Sequence, residues 1–100
     1  MKTAMLSTTG GAADIIAAPS TGRLRIWKLV WTMDGTGTLT IHQGTAGAAT
    51  DLVHGDFIAG AVGHVDYGSM GGFGLAATTA LKATTSAQTA KIVAYYTVCP

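Results

Sequence analysis

The 100-residue chain contains no glutamate, and charged residues make up only 11% of it. An ordinary soluble domain carries about 25%. Missing Glu and scarce Lys remove the residues that usually build surface helices. So little charge also gives weak repulsion between copies, so part of the surface is expected to be covered in the working state. The net charge of +1 excludes the broad basic face of a nucleic-acid binder. Arg23, Arg25 and Lys28 form the one basic cluster. It reads as strand-edge charge or as a rim that meets an acidic partner. A single cysteine, Cys99, excludes a disulfide framework within the chain and fits assembly in a reducing cytoplasm. No apolar run approaches the roughly 18 residues of a membrane span, so no membrane partner is expected. Residues 7–11 (STTGG) and Asp14 interrupt the opening segment, which therefore does not read as a signal peptide.

What is present is Gly, Ala and Thr, which together fill nearly half the chain. Threonine suits strands, and the glycines punctuate them. Residues 1–13 read as an N-terminal arm, with Met1, Met5 and Leu6 as its apolar contacts. Residues 14–100 read as one domain, small enough that oligomerisation would add usefully to its burial. Strands are expected over 14–18, 23–33, 36–43, 51–59, 62–67 and 90–99, with a small-residue loop at 44–50 and a glycine-rich loop at 68–74. The stretch 75–84 is ambiguous between strand and a helical turn. This pattern predicts an all-β fold: a single β-sandwich of jelly-roll type with seven to eight short strands.

The richest segment is 23–43, RLRIWKLVWTMDGTGTLTIHQ. Asp34-Gly35 between two alternating runs is a hairpin signal. A turn there sets Val30 opposite Leu39 and Lys28 opposite Ile41. Leu24, Ile26, Val30, Leu39 and Ile41 then share a core face. Trp27, Leu29, Trp31 and Met33 share the other, and are expected to form an interface with another layer or chain. The converse remains open, with the tryptophans in the core and the aliphatic face covered. In the last strand Ile92, Ala94, Tyr96 and Val98 form one face, and Lys91, Val93, Tyr95 and Thr97 the other.

One constellation invites chemistry. His54-Gly55-Asp56-Phe57 and His64-Val65-Asp66-Tyr67 repeat a His-x-Asp-aromatic spacing. A hairpin about Gly60 would pair His54 with Asp66 and Asp56 with His64 on one face. Such a set would suit a divalent metal, a pH switch, or plain charge-assisted pairs that fix register. No Gly-x-Ser-x-Gly elbow is present, and Gly71-Gly72-Phe73-Gly74 lacks the lysine of a phosphate loop. No enzyme and no cofactor are expected.

The order of motifs is that of a short apolar strand, a basic-apolar strand (STGRLRIWKLVW), a Gly/Thr hairpin (MDGTGTLTIHQG), a glycine-bounded middle, the GGFGLAATTALKATTSAQTA stretch, and a closing KIVAYYTV strand. It resembles small structural proteins of tailed bacteriophages, of the head decoration (cement) type. The resemblance covers roughly residues 14–98. It implies a β-sandwich or jelly roll and a virion protein on the exterior of the head, assembled in the host cytoplasm. The implied partners are the major capsid protein and further copies of the chain, as dimer or trimer, and the implied work is to stabilise the shell. On that reading the arm would add a strand to an edge of the capsid protein. The two tryptophans and the His-x-Asp repeats depart from the pattern. The alternatives are a tail or fibre module that binds another virion protein or a host glycan on Trp27, Trp31 or Tyr67, and a β-domain with no virion role.

Overall fold

The computed structural model describes residues 1–44 and 51–100. The loop expected at 44–50 lies, apart from Gly44, outside the described residues. The fold is all-β. Among the described residues there are seven strands: β1 (Lys2–Ile16), β2 (Arg23–Met33), β3 (Gly37–Gln43), β4 (Val53–Phe57), β5 (Val62–Asp66), β6 (Phe73–Gly74) and β7 (Leu81–Cys99), with one 3-10 turn at Gly68–Met70. All belong to one antiparallel sheet in which β7 is central.

The register reveals four long lines. β1 runs beside β7 along nearly its whole length. On the other side of β7 lie β2, against residues 90–99, and β3, against residues 81–85. β2 and β3 therefore follow one another in the same direction. β4 and β5 do the same along the outer side of that line. The 23–43 line alone would stretch roughly 65 Å if straight. The molecule's longest dimension is 38 Å. Every line must therefore bend, and the bends coincide: at Gly10-Gly11 in β1, at residues 86–88 in β7, at 34–36 between β2 and β3, and at 58–61 between β4 and β5. Gly10 and Gly11 both take left-handed backbone angles (φ 64° and 66°), which side chains disfavour.

This corner folds the sheet into two leaves. The first holds residues 2–9 of β1, 89–99 of β7, β2, β5 and β6. The second holds residues 11–16 of β1, 81–85 of β7, β3 and β4. Their far ends meet at the strap 75–80: the Leu75 amide donates to the Leu24 carbonyl (2.9 Å) and the Ala76 amide to Gln43 Oε1 (2.8 Å). One hydrophobic core lies between the leaves. It includes Leu24, Ile26, Leu29 and Ile92 from the first and Ile15, Leu39, Ile41 and Leu81 from the second. Trp31 joins them, its ring edge-on to Phe57 at 6.1 Å. Gly63 lies opposite Trp31, where a Cβ would collide with the indole.

Three expectations are corrected here. Asp34-Gly35 does not close a hairpin. Asp34 turns instead to β7: its amide donates to the Thr89 carbonyl (3.1 Å) and its carboxylate accepts the Thr89 amide (3.0 Å). The arm at residues 1–13 is not a separate appendage but most of edge strand β1, in which Leu6 packs on the core while Met1 and Met5 stay exposed. The jelly-roll layers of separate strands are replaced by one sheet bent across itself, because its lines are too long to stay flat.

Candidate functional site

The two leaves have very different outer faces. On the first, the paired registers of β1, β7, β2 and β5 define three rows. They read Thr3–Tyr95–Lys28–Asp66, Met5–Val93–Val30–His64 and Ser7–Lys91–Thr32–Val62. The middle row is apolar over three of four strands. Met5 is 77% exposed and Val62 70%. Trp27 adds to this face, with its indole N–H donating to Thr97 Oγ1 (3.0 Å). Trp27, Tyr95, Lys28, Asp66, Gly68 and Met1 line a shallow pocket of about 350 Å³.

A β-bulge determines which residues reach that face. The register of β2 against β7 shifts between Ile26 and Lys28. Before the bulge the even-numbered residues Leu24 and Ile26 point inward. After it the odd-numbered Leu29, Trp31 and Met33 do, at 5% exposure or less. An extra residue on one strand inverts the alternation beyond it. The interface expected of Trp27, Leu29, Trp31 and Met33 is thus corrected. Only Trp27 lies on the outside, the other three belong to the chain's own core, and Val30, expected in the core, lies on the outer face. Neither of the two alternatives open from the sequence holds along the whole strand. In β7, which is regular here, the expected alternation holds: Ile92 and Ala94 are buried, and Val93 and Tyr95 face out.

The outer face of the second leaf is polar and bonded to itself. Lys82 pairs with Asp14 at 2.9 Å. His42 is only 2% exposed and bridges Thr84 Oγ1 (2.8 Å) and the Gly44 carbonyl (2.9 Å) through its two ring nitrogens. His54 Nδ1 meets Thr40 Oγ1 at 2.8 Å, and Thr38 Oγ1 donates to Asp56 at 2.6 Å. Apart from the His42–Gly44 bond, these contacts all join adjacent strands.

The His-x-Asp repeats are therefore not brought together. β4 and β5 lie end to end on one edge of the sheet rather than side by side. His54 and Asp56 stand on the second leaf, and His64 and Asp66 on the first. Asp66 caps the Gly68 amide at 2.7 Å. Among the described residues no group of three or more His, Cys, Asp or Glu side chains is placed to hold a metal. The metal and pH-switch readings needed the hairpin about Gly60, and both fall with it. Tyr67, an expected sugar platform, is buried at 8% exposure against Phe73, and burial pushes its phenol above the ordinary value. At the end of β7, Arg25 holds the Cys99 thiol below its usual range.

No family model, curated protein or solved structure matches this chain. The outer face of the first leaf rests on its own geometry. Sequence reasoning found Trp27 there and named Met5 as a contact of the arm, but did not place Val30 and Val93 on the same outer face. The regular alternation of β7 was a usable signal for Val93; nothing local marked the bulge beside Trp27.

Proposed function

We propose that this chain is a structural assembly protein whose first-leaf outer face seats on a larger protein surface. The setting is the exterior of a phage head, as a decoration protein that stabilises the shell. The observation that carries the assembly reading is the contrast between the two outer faces. One satisfies its polar groups internally, while the other carries Met5, Val93 and Val30 as an apolar row, with Trp27 and Tyr95 to one side of it and Lys28, Asp66 and Lys91 in the flanking rows. Charge-poor aromatic and aliphatic patches with a charged rim are the anatomy of protein interfaces. The head setting is supported by the order of motifs in the sequence. On this reading the major capsid protein is the partner, and burial of a standard ~800 Å² on each side would reinforce the shell.

A second reading, a tail or fibre module that binds a glycan, draws on the Trp27–Tyr95 pocket, with Lys28 and Asp66 as polar groups at its wall. It loses Trp31 and Tyr67 as platforms because both are buried. Copy number per particle, measured by gel densitometry against the major capsid protein, separates the two. Many copies in fixed ratio on the head support decoration, and a few copies on the tail support the module. Absence from the particle refutes both.

A further inference from the structure

We propose that β1 pairs with β1 of a second copy, antiparallel, with Gly10 of one chain opposite Gly11 of the other. β1 is a 15-residue strand bonded to β7 on one side and, among the described residues, to no strand on the other. Such an edge offers a row of free amides and carbonyls to another strand. Natural edges are usually short or guarded by lysine or proline. Between Thr3 and Ala13 this one carries neither, nor any charge. Its charges, Lys2 and Asp14, stand near its two ends, and Asp14 is engaged by Lys82.

The bend selects the register. Two bent strands can follow each other only if their corners coincide, which places the Gly10-Gly11 pairs together about a two-fold axis. In that register the faces agree without adjustment. Leu6, which points inward, falls opposite inward-pointing Ile15 of the second copy, and Thr8 opposite Ala13. Outward-pointing Ser7 falls opposite Asp14, and Thr9 opposite Ala12. This agreement arises because the irregularity between Thr9 and Gly11 inverts the alternation within β1. Residues sharing a face direct their amides to the same edge, so inward-to-inward pairing also matches hydrogen-bond donors with acceptors. No like charges are opposed. Parallel pairing would set Lys2 against Lys2 and Asp14 against Asp14. The first leaf of one copy then continues into the second leaf of the other, and the cores become continuous under an isologous interface. The pairing concerns the sheet edge and not its outer face, so its failure would leave the shell-binding reading intact, and the reverse.

Sedimentation velocity on the isolated full chain tests it. A dimer is expected. Ser7→Asp sets a carboxylate opposite Asp14 twice per dimer and should weaken dimerisation about tenfold, while Ser7→Lys should tighten it. Within one copy Ser7 faces Lys91, so an effect on the fold alone would run the other way. In a Cys99→Ser background, a mixture of Thr9→Cys and Ala12→Cys chains should form a mixed disulfide faster than either variant links to itself. A chain that stays monomeric at millimolar concentration overturns the proposal. So does a dimer indifferent to both Ser7 substitutions, or one whose Thr9→Cys and Ala12→Cys chains do not cross-link preferentially with each other.

Discussion

The outer faces of the two leaves are built on the same four lines of chain, yet they solve the problem of exposure in opposite ways. On the second leaf Asp14–Lys82, His42–Thr84, His54–Thr40 and Asp56–Thr38 bond across adjacent strands. On the first, the equivalent positions carry Met5, Val93, Val30 and Trp27, with Lys91 and Thr32 beyond them. The contrast lies in apolar surface and not in the number of charges. Formal charge is present on both, with Lys28, Asp66 and Lys91 on the first and Asp14, Lys82 and Asp56 on the second, and what only the first carries is the apolar row Met5–Val93–Val30. What this teaches is that a composition poor in charge predicts a covered surface but not its place. The place depends on register, and the register depends on one bulge.

The largest expected effect tests that bulge. Trp31→Ala empties the space between the leaves, where the indole meets Phe57, and should cost about 3–5 kcal/mol in chemical denaturation. Trp27→Ala, on the other side of the sheet, loses one hydrogen bond and partial packing and should cost about 1 kcal/mol. Equal losses for the two would mean that the alternation does not invert at Trp27. Next in size is His42→Ala on the polar leaf. It strands Thr84 and the Gly44 carbonyl and should lower stability by about 1–3 kcal/mol, with no effect on partner binding.

The all-β class was legible in residues, because threonine-rich alternation and glycine punctuation are local signals. The division of β7 into two faces, with Ile92 and Ala94 on one and Val93 and Tyr95 on the other, was legible for the same reason. The long lines were not. Asp34-Gly35 carries a turn signal, but its partner, Thr89, is more than fifty residues away, and the hydrogen bonds to it outweigh local preference. The continuation of β7 back to Leu81 was hidden by a Thr/Ala background without strong alternation. The bulge at Trp27 leaves no mark in residue type, so a face assignment carried by counting in twos was right for Trp27 and wrong for the next three inward residues. The His-x-Asp repeats misled in a related way: equal spacing along one line reads like pairing across two.

A smaller effect sharpens the contrast between the faces. Val30→Asp places a charge on the outer apolar row and should change stability by less than about 1 kcal/mol, since the side chain is only partly covered. A loss as large as that of Trp31→Ala would put Val30 in the core and dissolve the proposed surface. The smallest expected effect concerns Tyr67. Its phenol is held above the ordinary 10.0 by burial, so the folded state favours the neutral form. Its contribution is complete below pH about 10 and is lost as pH rises from there through the folded value. Alkaline unfolding should therefore steepen in that range, and Tyr67→Phe should flatten it.

The most direct test of the account is retention on the particle. Wild-type chain, Val30→Asp and Thr84→Asp would each be bound to heads lacking the native chain, washed, and counted against the major capsid protein. The account predicts that wild type and Thr84→Asp are retained at a high, fixed ratio while Val30→Asp is lost. Retention of Val30→Asp at the wild-type ratio, or failure of wild type to bind at all, would contradict it.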